Sequence, residues 1–357
     1  MALTWDVIFA QLIRKERQGY WGNWSLNPAI VPGAVGVLDP NTGTFTSAGV
    51  VIPGLTTTSR PISQQWSVMS EHVSRKEVDL GADATVVDPD TGTKVNAELT
   101  VSWSLEQTGS MISEFAVTSE ELMDRSLLRS QLEWLESIAE TQNMSAGDRI
   151  SQGFGVVTSV IWADSGVNVA AQSENTTFSV SGSVGAVHDL LGQGSGKGSY
   201  VTTSADKSVS KHIWPESPGA PAPSPVPVAY TFASFDGKTV IENWTSVLQG
   251  FELLLNSVPG CTYVVEARFS YDTAAGRRES RDAVIPAGLS ATFAAIPIDA
   301  GNLVLDLAFK GVFSDDHKHL EWPTPLGQWA GGVRQVDLRG VWPGSTSALD
   351  VQSGKSY

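Results

Sequence analysis

The densest group of chemistry-bearing side chains in the chain is Asp315-Asp316-His317-Lys318-His319-Leu320-Glu321. Histidines two residues apart on a strand share a face, so His317 and His319 could hold a metal if a third ligand came from elsewhere. No third ligand follows from the spacing, and a polar surface loop accounts for the same residues. Gly192-Gln193-Gly194-Ser195-Gly196-Lys197-Gly198 has the look of a phosphate-cradling loop. Gly198 stands where that loop needs a hydroxyl and no strand-to-helix context surrounds it, so its glycines read as a flexible connection. His188 and Asp189 have no nucleophile placed to work with them. These residues point to a protein that is not an enzyme and needs neither a cofactor nor a metal.

Composition narrows the partners. The chain has 357 residues, enough for two domains, and a hydrophobic share of 41% places it among globular proteins. A formal charge of −15 excludes a nucleic-acid binder, which needs a basic stripe to displace phosphate counterions. The same acidity opposes adhesion to anionic lipid unless some element is locally basic. Cys261 is the single cysteine, so no intrachain disulfide and no cysteine-cluster metal site can form. A lone cysteine suits a reducing compartment without excluding secretion, no leader-like pattern opens the chain, and the lack of an 18-residue apolar run argues against a membrane-spanning helix.

The first element is a helix. Trp5, Ile8, Phe9, Leu12 and Ile13 share one face, and Arg14, Lys15 and Arg17 crowd the last turn. An aromatic apolar stripe beside a basic cluster is the form of an interfacial anchor, and equally of a helix packed on its own core. Ala34 to Leu38 and Phe45 to Val51 flank an Asp-Pro-Asn-Thr-Gly-Thr turn and read as a hairpin. A capping box at Thr118-Ser119-Glu120-Glu121 predicts a helix running to about Gln142.

Two long stretches alternate with period two. Val78 to Leu105, flanked by Arg75 and Lys76, turns at Asp88 to Thr93, and its second arm places Val95, Leu99, Val101 and Trp103 on one face. Val156 to Val187 reads as a second ribbon: Val167 and Val169 before its turn, Phe178 and Val180 after it, and small hydroxyl residues on the opposite face. A ribbon with one apolar and one polar face has two homes, a half-buried sheet or a membrane barrel.

Taken in order, these elements resemble the pore-forming domain of the gasdermin family, in particular its microbial and fungal members. The likeness covers residues 1 to 211 and rests on the basic-ended helix, the hairpin opening Pro32-Gly33-Ala34-Val35-Gly36-Val37-Leu38-Asp39, the two ribbons and the helical insert between them. It implies that Trp5, Phe9, Arg14, Lys15, Arg17, Arg75 and Lys76 meet lipid. It implies further that Val95, Leu99, Val101, Val167, Val169, Phe178 and Val180 face the bilayer as transmembrane hairpins of a homo-oligomeric β-barrel. Basic residues are sparser here than that family's pattern asks, and its lipidated N-terminal cysteine is absent.

Residues 214–227 carry Pro215, Pro218, Pro221, Pro223 and Pro225, a semi-extended linker that no sheet or helix would accept. Such a linker is either a protease-accessible tether or an ordinary spacer. Residues 228–357 then read as a β-sandwich of regulatory or binding role, with strands such as Tyr263 to Tyr271 and Leu303 to Phe309. If Trp322, Trp329 and Trp342 were exposed, that sandwich could bind a glycan or a protein by stacking. The expected fold is therefore α+β: a twisted antiparallel sheet with helices over residues 1–213, the linker, and a C-terminal β-sandwich. The expected function is a pore former, cytoplasmic until triggered (by linker cleavage or otherwise) and at the membrane when active. The competing expectation is a non-enzymatic carbohydrate- or protein-binding protein.

Overall fold

A computed structural model describes residues 5–62, 66–81, 83–87, 92, 94–147, 149–193, 201–215, 224–273, 275–322 and 332–357. Strands dominate, and the described helices are four: Trp5–Glu16, Leu127–Ser130, Leu132–Thr141 and Val184–Leu190. The chain divides into two compact units, one of residues 1–135 and 155–232, the other of 136–154 and 233–357.

In the first unit two sheets stack through a shared apolar layer. The larger sheet runs through strands Tyr20–Gly22, Val226–Asp236, Phe154–Ala171, Met111–Met123 and Thr57–Pro61 in that order. The smaller one is ordered Val201–Ala205, Thr176–Gly182, Leu99–Leu105, Val73–Asp79. Period-two alternation turns Leu99, Val101, Trp103, Leu105, Phe178 and Val180 inward against Ile112, Val167 and Val169 of the larger sheet. The helix Val184–Leu190 closes this layer with Ala186, Val187 and Leu190, and Ser183 caps it by accepting from the Ala186 N–H at 3.3 Å.

Several sequence expectations meet their structure here. The hairpin Ala34–Leu38 with Phe45–Val51 forms, and Val73–Asp79 pairs antiparallel with Leu99–Leu105. The helix expected from Thr118 to about Gln142 forms only in its second half, as Leu127–Ser130 and Leu132–Thr141. Residues 111–123 are one strand, because each side of it has a long-range partner: Ser119 to Leu122 lie between Thr58–Pro61 and Ser159–Trp162. The carboxylates of the supposed capping box serve the sheet instead. Glu120 accepts from the Tyr20 hydroxyl, and Glu121 accepts from Thr57 Oγ1 at 2.6 Å and Trp162 Nε1 at 3.2 Å. The second ribbon is likewise not a hairpin. Phe154–Ala171 continues through Gly166 as a single 18-residue strand of the larger sheet, while Thr176–Gly182 belongs to the smaller one.

The expected boundary at residues 214–227 does not coincide with the division between units. After the proline-rich stretch the chain re-enters the first sheet, with Thr231 opposite Tyr20 and Ala229 opposite Gly22. Pro215 and Pro225 flank that return, and Pro218, Pro221 and Pro223 lie outside the described residues.

The second unit contains the β-sandwich. One sheet orders Ser290–Ile296, Phe251–Ser257, Val333–Gly340, Thr346–Asp350 and Lys355–Ser356; the other orders Arg278–Ile285, Val265–Asp272, Gly301–Phe309 and Asp316–Trp322. Alternate residues of both, among them Leu253, Leu255, Phe269, Tyr271, Leu305, Leu307 and Val336, fill the layer between them.

Candidate functional site

Register decides which connections of the sandwich share an end. Val265 lies opposite Ile285 and Phe309, and Phe309 opposite Asp316. On the other sheet Asn256 lies opposite Ser290, Ser257 opposite Leu338, and Gly340 opposite Thr346. The four connections 258–264, 286–289, 310–315 and 341–345 therefore emerge together.

Each of the four presents apolar side chains to solvent. They are Val264, Leu289, the pair Val312 and Phe313, and the pair Val341 and Trp342. Phe313 is 97% exposed and Val312 72%, far beyond the scattered single residue that a soluble surface tolerates. The local sequence makes this arrangement. Gly311 permits a tight loop, since a Cβ there would sit 2.1 Å from the Ser314 carbonyl oxygen. Gly344 closes a turn by donating to the Val341 carbonyl at 2.6 Å.

Hydrogen bonds hold the loops to one another. Tyr263 Oη donates to the Gly344 carbonyl at 2.7 Å, and the Trp342 N–H donates to Thr262 Oγ1 at 2.8 Å. The Lys310 N–H reaches the Val264 carbonyl at 2.9 Å, and Gly288 N–H reaches Ser257 Oγ at 3.0 Å. Their backbones are preorganised while their apolar side chains stay bare, the pattern of a surface awaiting an apolar partner. Lys310 is held by Asp315 at 2.7 Å and Glu266 at 3.1 Å, which raises its pKa and lowers that of Asp315.

The residues expected to meet lipid lie elsewhere and are engaged. Phe9 is fully buried and Trp5 partly so, its ring tilted against Trp24 at 6.3 Å, so the first helix packs on its own core. The Arg14 guanidinium lies 4.0 Å over Trp21, Arg17 lies 5.2 Å over Trp66, and exposed Lys15 pairs with Glu71 at 3.2 Å. Arg75 lies 3.5 Å from Glu114, and Lys76 sits beside it on the edge strand Val73–Asp79. Leu99, Val101, Val167, Val169, Phe178 and Val180 are core; only Val95 stands outside that layer, half-buried on the short strand Lys94–Asn96.

His319, singled out as a ligand, has Nδ1 2.6 Å from Asp306 and Nε2 2.9 Å from Glu321. Glu321 and Asp306 both raise its pKa, and no three metal-type ligands converge among the described residues. Trp322 is buried, Trp342 is exposed at the loop end, and Trp329 lies outside the described residues. The loop end itself left a signal that strand periodicity passes over. Leu289, Val312-Phe313 and Val341-Trp342 sit among glycines and prolines, where no core claims them. Two clefts, of about 440 Å³ beside Leu248, Gly250 and Val333 and about 460 Å³ beside Arg149 and Lys238, lie away from it.

No family profile and no curated protein matches the chain. Solved structures do match. The membrane-binding domain of pneumolysin aligns at 13% identity over 28% of this chain and 94% of that one, with a TM-score of 0.20. A non-hemolytic pneumolysin from Streptococcus pneumoniae aligns at 9% identity over 93% of this chain and 87% of that one, TM-score 0.23. A disulfide-locked intermedilysin with human CD59 aligns at 10% identity over 91% and 84%, TM-score 0.24. Similarity at this level assigns neither fold nor function. None of these three matched structures is a gasdermin. The arms of the expected second ribbon lie in different sheets and a strand replaces the first turns of the expected insert, so the element order on which the gasdermin resemblance rested does not hold.

Proposed function

We propose that this chain is a non-catalytic, membrane-permeabilising protein that meets the bilayer with the four-loop end of its sandwich. The observation that carries the reading is the gathering of six bare apolar side chains on four hydrogen-bonded loops at one end. Full burial of such a side chain is worth about 1.5–3 kcal/mol, so insertion of even a few offsets the cost of holding the protein at a surface. Trp342, with an apolar ring and a polar N–H, suits the headgroup level where tryptophans collect.

Permeabilisation would fall to the first unit. Its strands of 13 and 18 residues exceed the roughly 9–11 that a tilted transmembrane strand requires. The Val73–Leu105 ribbon has an apolar face (Leu99, Val101, Trp103, Leu105) and a hydroxyl face (Thr100, Ser102, Ser104). Its apolar face is core in this state, so entry into lipid requires the two sheets to part. The released edges would then need copies of the same chain to close them.

Flotation with vesicles and release of an encapsulated dye, both on the full chain, test the two halves. The reading expects binding and release. Binding without release removes permeabilisation and leaves docking; absence of both removes the proposal.

A further inference from the structure

We infer that the lipid surface fitted by this loop end is electrically neutral, made of zwitterionic headgroups, and that anionic lipid adds nothing to its binding. The inference rests on the docking reading and deepens it. Connections 258–264, 286–289 and 341–345 contain no charged residue. The fourth, 310–315, contains Lys310 and Asp315, which neutralise one another at 2.7 Å, with Glu266 a second carboxylate on the same lysine at 3.1 Å.

The charges next in from the loops are also matched. Lys318 pairs with Asp316 at 3.2 Å and Arg339 with Asp337 at 3.5 Å. Each cation in this band faces an acid, and Lys310 faces two, so the balance falls on the negative side. A free lysine or arginine near an anionic leaflet gains about 1 kcal/mol, lost beyond a Debye length of roughly 8–10 Å. No cation here is free to collect it, and the chain as a whole carries −15. Attraction must therefore come from insertion of Phe313, Val312, Trp342 and their neighbours, which salt does not screen.

Co-sedimentation of the full chain with phosphatidylcholine vesicles, and with the same vesicles containing phosphatidylserine, tests this at low and high salt. The expected result is binding to phosphatidylcholine at least equal to binding to the mixture, changed by less than roughly twofold by salt. A several-fold preference for phosphatidylserine that salt abolishes overturns the inference and leaves the docking reading standing. Binding to neither overturns both.

A gain-of-function arm guards against a silent wild type. Glu266→Gln with Asp315→Asn releases Lys310 while the asparagine oxygen keeps the acceptor for the Gly311 N–H. That double variant is expected to gain about fivefold in salt-sensitive binding to phosphatidylserine vesicles. No gain would place Lys310 away from the bilayer and overturn the inference.

Discussion

The hydroxyl of Tyr263 donates to the carbonyl of Gly344 across 2.7 Å, joining the first of the four apolar loops to the last. Its ring is buried and meets Phe309 edge-on at 5.9 Å, so the hydroxyl is aimed from the core. The loop end is a rigid part of the sandwich and not a fringe hung on it.

Tyr263→Phe keeps the ring and removes the bond. Loss of one such hydrogen bond costs about 1 kcal/mol. The amides of Trp342 and Gly344 should then exchange hydrogen faster while amides in the strand Gly301–Phe309 keep their rate. Unchanged exchange at Trp342 would mean that the loops are held without this tie.

The sandwich has a buried ion pair between Arg334 and Asp350, where the carboxylate also accepts from Trp322 Nε1 at 3.1 Å. Removing one partner of such a pair leaves a buried charge. Asp350→Ala should lower unfolding free energy by about 3–5 kcal/mol in urea denaturation. Asp350→Asn, which can still accept from Trp322, should cost less. Equal losses would show that the charge is immaterial.

Glu114 sits between the two sheets of the first unit, 3.2 Å from Trp103 Nε1 and 3.5 Å from Arg75 Nε. Burial raises its pKa, against the opposing pull of Arg75 and the Trp103 bond, with Glu77 adding to the rise. A raised carboxylate binds its proton more tightly in the folded state. Its favourable contribution is full below the ordinary carboxylate range and lost as pH rises through the raised value. Glu114→Gln should therefore be no less stable than the parent near neutral pH, and its melting temperature should vary less between acid and neutral solution. A loss of several kcal/mol at neutral pH would show that the Arg75 pairing outweighs desolvation.

His319 titrates above its ordinary value because Glu321 and Asp306 flank its ring. Its contribution is present below the unfolded value, about 6.5 for an unperturbed imidazole, and fades as pH rises through the folded one. The side chain is exposed, so the effect is read by NMR and not by stability. Asp306→Asn should lower the titration midpoint of His319. A midpoint already at the ordinary value in the parent would contradict the paired geometry.

Local pattern and long-range pairing explain what the sequence made visible. The Asp39 to Thr44 turn and the alternation of residues 99–105 are local facts, and both survive in the fold. Thr118 to Glu121 satisfies a helix cap by spacing alone, yet two neighbouring strands claim that backbone and outbid it. Alternation also says which face a strand buries but not which strand lies beside it. Phe154–Ala171 and Thr176–Gly182, adjacent in sequence, thus came to lie in different sheets. Val184 and Ala186 continue the strand pattern by spacing, and Ser183 caps a helix there instead. The loop end was not legible from periodicity, because its apolar residues are isolated among turn formers and only the register of eight strands brings them together.

The central claim is that the loop end meets the bilayer. Phe313→Cys in a Cys261→Ala background offers one reactive thiol for an environment-sensitive fluorophore, since Cys261 is the sole native cysteine. On addition of phosphatidylcholine vesicles, emission from position 313 should brighten and shift to the blue, and lipid-borne quenchers should extinguish it. Vesicle binding by the labelled chain with no change in emission at 313 would contradict the account.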